Sequence, residues 1–156
     1  MRLALVTPAA KREVRREQLR RGRDTALALR QAFPGVEHVR LDFRFQSNGS
    51  TTPAVQSRTL HQAARAFFEF PCPFADCDGQ FNLGSAVRIA VAGPAHRTTG
   101  ELECCGKRRV RLGAPDPCQL RLTYTVTAVF ESADKHASAA GEAVRPDSLT
   151  TLGGNS

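Results

Sequence analysis

Four cysteines constrain the fold of this chain more than any other feature. They are Cys72, Cys77, Cys104 and Cys118. Two of them lie in short cysteine-glycine turns, which are separated by a long insert. Such turns are typical of a tetrahedral metal site, because each one supplies thiolates from a tight backbone loop. The sequence therefore predicts a small domain that is stabilised by a metal as well as by a hydrophobic core.

The two halves of the proposed site differ in spacing. Four residues separate Cys72 from Cys77, which is within the range expected of zinc sites. The pattern Cys-x-Gly occurs at residues 77–79 and again at 104–106. This repeat favours Cys104 as the third ligand, although Cys105 is an alternative because it lies directly against the glycine. Glycine and proline between residues 107 and 117 suit a hairpin that brings Cys118 back to the site. Glycine would also tolerate positive φ in these turns and let backbone amides point at sulfur.

Four thiolates would fill the coordination shell of zinc, so we expect a structural zinc ion. The same ligands could hold an iron–sulfur cluster, and free cysteines can also pack as small hydrophobic side chains. If one cysteine were not a ligand, His61 or His96 could replace it and open the site to chemistry. His38 and His136 are expected at the surface. Redox chemistry is disfavoured because there is no Cys-x-x-Cys motif.

Enzyme signatures are absent from the sequence. There is no Gly-x-Ser-x-Gly turn, no phosphate-binding glycine-rich loop and no His-Glu-x-x-His helix. Asp76 and Asp78 flank Cys77 and resemble a carboxylate pair. We expect them instead to accept backbone hydrogen bonds within the tight turn.

Composition predicts one domain in a chain of 156 residues, of which 41% are hydrophobic. No apolar run approaches the ~20 residues of a membrane span, and residues 3–6 are too short for a signal-peptide core. We expect a cytoplasmic protein, and in a reducing compartment clustered cysteines are more often ligands than disulfides. Four thiolates on one zinc carry a formal −2, which lowers the net charge from +7 to about +5.

Residues 9–33 predict one basic helix that ends at Pro34 and Gly35. Its cations could contact phosphates, but a solvated surface crossed by ion pairs is favoured, because no aromatic residue interleaves with the arginines. The expected pairs join Glu13 to Arg16, and Glu17 to Arg20 or Arg21. The sequence divides into this helix (residues 1–35), a metal-binding domain (36–131) and a disordered tail (132–156).

Two segments alternate between apolar and polar residues and predict strands, at residues 39–45 and 119–130. Residues 46–57 read as a loop, and residues 58–70 as a loop or short helical turn that becomes a strand near Ala66. Residues 86–92 fit a helix capped by Ser85 or a strand. The prediction is an α+β fold, with the N-terminal helix packed on an antiparallel sheet of about four strands.

Residues 66–83, the Cys104-x-Gly106 turn, the pair Arg108-Arg109 and the strand that Cys118 opens resemble small bacterial proteins of the zinc-ribbon type. The resemblance covers about residues 36–130. It implies a ribbon in which strands and two turns enclose one zinc ion, and it carries no known activity. The long first spacing and the doubled cysteine depart from the pattern, so a treble-clef arrangement also stays open.

The function that the sequence favours is a non-catalytic, zinc-stabilised module that binds nucleic acid or an acidic protein. The expected anion-binding residues are Arg108, Arg109, Arg111 and Arg121. Charge of this size equally serves solubility. The alternative function is a small metal- or thiol-dependent enzyme or redox protein that uses Cys105 or an open metal position.

Overall fold

The structure is a computed structural model that describes residues 7–47, 55–108 and 115–132. It confirms the α+β fold, with an N-terminal helix and a four-stranded antiparallel sheet. The helices are α1 (Pro8–Thr25), α2 (Leu29–Ala32) and α3 (Gly84–Ala92). The strands are β1 (Val36–Gln46), β2 (Gln56–His61), β3 (Glu69–Pro71), β4 (Gln80–Asn82), β5 (Arg97–Glu103), β6 (Lys107–Arg108), β7 (Asp116–Pro117) and β8 (Arg121–Phe130). The predicted tail lies outside the described residues, apart from Ser132.

The main sheet has the strand order β2-β1-β8-β5, and every neighbouring pair is antiparallel. The predicted alternation on its two central strands is confirmed, because Val39 and Leu41 of β1 are buried, as are Leu122 and Val126 of β8. Helix α3 packs against β5 and β8. The four cysteines outside position 105 belong to the same buried cluster as these core residues. The cysteine cluster is thus continuous with the hydrophobic core.

The prediction of one helix over residues 9–33 is wrong at its second half. Helix α1 starts at the N-cap Thr7, whose hydroxyl accepts a hydrogen bond from the Ala10 amide (3.2 Å), and it ends at Thr25. The next residues are extended because their backbone pairs with residues 64–66. The amide of Leu29 donates to the Ala64 carbonyl, and the amide of Ala66 donates to the Leu27 carbonyl, each at 2.7 Å.

Residues 56–61, expected as loop and turn, form the edge strand β2. This strand is almost wholly exposed, so it lacks the apolar alternation by which a half-buried strand is recognised. Residues 86–92 are helical, as one of the two predictions had it. The expected cap at Ser85 is wrong, since the Asn82 side-chain oxygen accepts the hydrogen bond from the Gly84 amide (2.8 Å).

Strands β6 and β7 pair with each other between the third and fourth cysteines. The predicted hairpin is therefore present at its base, and it returns the chain to Cys118. Residues 109–114, which include Arg109 and Arg111, lie outside the described residues. Among the described helices, none is both long and apolar enough to cross a membrane.

Candidate metal centre

The structure brings four sulfur atoms together. The Sγ atoms of Cys72, Cys77, Cys104 and Cys118 all lie within 4.8 Å of one another, and all four residues are buried. The Sγ atoms of Cys72 and Cys118 are 3.9 Å apart, and those of Cys77 and Cys104 are 3.6 Å apart. A regular tetrahedron with metal–sulfur bonds of ~2.3 Å has sulfur atoms ~3.8 Å apart. The cluster therefore has the size that a tetrahedral metal ion requires.

Backbone hydrogen bonds between strand ends hold the four cysteines in place. The amide of Cys72 donates to the Gly79 carbonyl (3.0 Å), which closes the loop between β3 and β4. The amide of Cys104 donates to the Leu120 carbonyl (2.9 Å), where β5 approaches the start of β8. The amide of Cys118 donates to the Gly106 carbonyl (2.8 Å). The sulfur positions are thus set by the ends of paired strands.

The two Cys-x-Gly turns are alike in structure as well as in sequence. The amide of Gly79 donates to the Cys77 sulfur at 3.3 Å, and the amide of Gly106 donates to the Cys104 sulfur at 3.4 Å. Hydrogen bonds to the charged form stabilise a thiolate. The prediction that backbone amides point at sulfur in both turns is confirmed.

The physical reason for the glycines differs from the predicted one. Among the described residues, Gly35 is the glycine with positive φ, so neither turn glycine is needed for that conformation. They are needed because the turns touch. A Cβ atom on Gly79 would lie 2.2 Å from the Cys104 sulfur, and one on Gly106 would lie 2.7 Å from the Cys77 sulfur.

The alternative ligands lie elsewhere. Cys105 is exposed, and its thiol donates weakly to the Glu103 carbonyl at 3.8 Å. The ring of His61 packs on that of His38 with centroids 5.6 Å apart, and the ring of His96 packs on Phe130 at 4.4 Å. Within the described part of the chain, the metal-sized cluster contains cysteines only. His136 lies outside the described residues.

A buried arginine joins helix α1 to this site. Arg12 is only 8% exposed. Its Nη1 atom donates to the carbonyls of Cys72 and Cys77, each at 3.0 Å, and also to the carbonyl of Phe74. One guanidinium therefore fixes the loop between the first two cysteines.

Sequence reasoning missed the role of Arg12 because it counted this residue with the surface cations of the helix. A signal was available in the helical spacing. Arg12 lies seven residues before Leu19, which places both on one face of α1, and both are 8% exposed. The ion pairs predicted for this helix are present at its surface. Glu17 pairs with Arg20 and Arg21, and a Glu13 carboxylate oxygen lies 3.7 Å from Arg16 Nη1.

Side chains near Cys77 contact the segment that follows Cys104 and Cys105. Asp76 pairs with Arg108 (3.0 Å), whose guanidinium also lies 3.9 Å from the centre of the Phe74 ring. Asp78 accepts a hydrogen bond from the Lys107 amide at 2.7 Å. The two aspartates thus join separate loops, whereas the sequence placed both as acceptors within their own turn.

Burial and mutual contact govern the protonation of the cluster. Hydrogen bonding to Cys104, together with burial, raises the pKa of the Cys72 thiol well above its usual value. Burial raises the pKa of Cys77 to about 12. The hydrogen bond with Cys72 lowers the pKa of Cys104 to about 5, because it stabilises the thiolate there. Without a cation, the cluster therefore keeps protons on Cys72 and Cys77, and a bound metal has to displace them.

Two of the four predicted anion-binding residues are among the described residues. Arg108 is bound to Asp76 as described, and Arg121 pairs with Glu103 at 3.1 Å. Arg109 and Arg111 lie outside the described residues. The two described arginines are thus already engaged within the chain.

Comparison with protein-family models, curated proteins and solved structures found no match for this chain. The resemblance to zinc-ribbon proteins stays a prediction. The functional proposal rests on the geometry and charge of the described residues.

Proposed function

We propose that this protein is a non-catalytic, zinc-stabilised module that binds an anionic macromolecule, either nucleic acid or an acidic protein. The observation that carries the metal part is the set of four buried sulfur atoms at tetrahedral separations. The observation that supports the binding part is the excess of cations, a formal net charge of +7, which favours anionic partners.

Zinc suits the site because it accepts four thiolates in a tetrahedron and has no redox chemistry to control. A structural role is favoured over a catalytic one, since catalytic zinc keeps one position for water or substrate. Four converging sulfur atoms leave no such position. The buried guanidinium of Arg12, close behind the loop, also offsets part of the −2 charge of a zinc–tetrathiolate centre.

The arrangement also supports the ribbon type suggested by the sequence. One Cys-x-Gly turn lies in the connection between the paired strands β3 and β4, and the other follows β5, which pairs with β8. The two turns face each other across the sulfur cluster through Gly79 and Gly106. We therefore propose that the two turns, each next to the end of a strand, bind one zinc ion between them.

The metal proposal predicts one zinc ion per chain purified under native conditions. Of the five cysteines, only the exposed Cys105 should react with a thiol reagent in the native protein, because the other four are buried and bound to metal. Metal analysis and thiol titration on the same sample test this. Iron in place of zinc would point to a cluster, and several reactive thiols without metal would overturn the proposal and favour thiol chemistry.

The binding proposal predicts retention on a phosphate-rich cation-exchange matrix. Retention should weaken steeply with added salt, because each phosphate contact releases counterions. Elution by a salt gradient measures the effect. An unrelated protein of equal net charge is the control, and equal elution of both would show that the charge serves solubility alone.

A further inference from the structure

A groove runs between helix α1 and the edge strand β2, with residues 67–70 as its floor. It consists of two adjoining cavities of about 450 and 330 Å³. They share the residues Arg23, Arg58, Phe67, Glu69 and Phe70. Each cavity is about the size of a site for one small ligand, and the shared lining residues place the two cavities side by side.

The rim of the groove is strongly cationic. Its arginines are Arg16, Arg20, Arg23, Arg58 and Arg65. The lining contains one acidic residue, Glu69, whose carboxylate accepts a hydrogen bond from Asn82 at 2.7 Å. Arg16 and Arg20 are paired with glutamates of their own helix. Within the described part of the chain, Arg23 and Arg58 have no carboxylate partner, so their charge is available to an anion in the groove.

The groove also contains planar groups, namely a guanidinium and aromatic rings. The guanidinium carbon of Arg58 is 5.6 Å from the centre of the Phe70 ring and 5.7 Å from that of Phe43. These two rings support an otherwise exposed guanidinium. Phe67 is half-buried, and its ring edge packs against Gly22 of α1, where a Cβ atom would approach within 3.1 Å. The groove therefore offers both a cationic plane and an aromatic ring.

We propose that this groove binds single-stranded nucleic acid. This inference rests on the proposed function and names its partner and its surface. Single strands bind to grooves that combine backbone-tracking cations with planar groups on which bases stack, including arginine. Here Arg23 contacts the phosphates, while Arg58 and Phe67 stack on bases. Arg65 adds positive charge at the rim, although its Nη1 atom donates to the Ala26 carbonyl at 2.9 Å. Two adjoining cavities fit successive nucleotides of a strand better than one free mononucleotide. The carboxylates of an acidic peptide could pair with the arginines, but they would not stack on Arg58 or Phe67.

The test measures binding of a labelled oligothymidylate to the zinc-loaded full chain by fluorescence anisotropy. The groove variant is Arg23→Ala/Arg58→Ala, and the matched control is Arg30→Ala/Arg88→Ala, which removes the same charge from exposed positions outside the groove. A third variant, Arg109→Ala/Arg111→Ala, tests the loop surface that the sequence predicted. We expect the groove variant to lose at least tenfold in affinity, with Arg58→Lys losing several-fold because it keeps the charge but not the plane. The salt slope should fall by about one for each phosphate contact removed. The control should change by less than threefold.

Competition separates the sources of the signal. We expect the unlabelled single strand to displace the probe far better than the duplex of the same sequence, a mononucleotide or an acidic peptide. Zinc content and thermal unfolding of each variant establish that it is folded. If the loop variant loses affinity and the groove variant does not, the groove assignment is wrong while the proposed function stands. A preference for the acidic peptide would likewise overturn the nucleic-acid assignment alone. No binding of any of these anions would remove the proposed function as well.

Discussion

Removal of the proposed zinc ion is expected to unfold this protein. Structural zinc contributes on the order of 10 kcal/mol or more to folding in small domains, which is comparable to the whole stability of a domain of this size. The sulfur cluster is continuous with the hydrophobic core, so loss of the ion leaves four buried thiols at its centre. We expect chelator treatment, or Cys77→Ala, to abolish the cooperative thermal transition followed by circular dichroism.

The matched control for this loss is Cys105→Ser, which changes the neighbouring but exposed thiol. It should keep one zinc per chain and change stability by less than about 0.5 kcal/mol, as surface substitutions usually do. A chelated protein that melts at the same temperature as the zinc-loaded one would show that the sulfur cluster is an ordinary part of the core.

Acid should also remove the zinc ion and unfold the protein. The raised pKa values keep protons on Cys72 and Cys77 in the metal-free protein at neutral pH, so zinc binding releases at least these two protons. The apparent affinity for zinc should therefore fall by a factor of at least about 100 for each pH unit of acidification. The metal-loaded protein loses stability as the pH falls. Competition with a zinc indicator over a pH series measures the slope.

The substitution Arg12→Ala is expected to have the second-largest effect. It removes a buried donor and leaves the carbonyls of Cys72, Phe74 and Cys77 without it. Leaving a buried acceptor without its donor costs about 1–3 kcal/mol, so we expect the free energy of unfolding to fall by at least this amount. Because the three carbonyls belong to the loop that carries two of the proposed ligands, zinc affinity should also fall about 10- to 100-fold.

The affinity measurement separates a positioning role from general destabilisation. Arg16→Ala is the matched control, since Arg16 lies one turn further along α1 in an exposed pair with Glu13. It should cost less than about 1 kcal/mol and leave zinc affinity unchanged. Arg12→Lys should recover part of the lost zinc affinity because it keeps a cation near the carbonyls. If Arg12→Ala lowers stability but leaves zinc affinity intact, the guanidinium only attaches the helix.

Local patterns in the sequence were sufficient for a large part of this fold. The central strands β1 and β8 are half-buried, and half-burial produces the alternation that predicts them. The edge strand β2 is exposed on both faces, so it has no such pattern. The break after Thr25 also has no local signal, because it depends on hydrogen bonds from residues 27–29 to the distant residues 64–66.

The same distinction holds for the sites. The sequence by itself determined the four cysteines, their repeated glycine turns and the positive charge, because thiol chemistry, short-range spacing and net charge are properties of the residues. Only the tertiary structure decided that Cys104 rather than Cys105 joins the cluster and that Arg12 lies buried behind the first loop. It also placed Phe67 against the basic helix, beside arginines that have no aromatic neighbour along the chain. These contacts join residues far apart in sequence, and such contacts are set by packing, which no local pattern records.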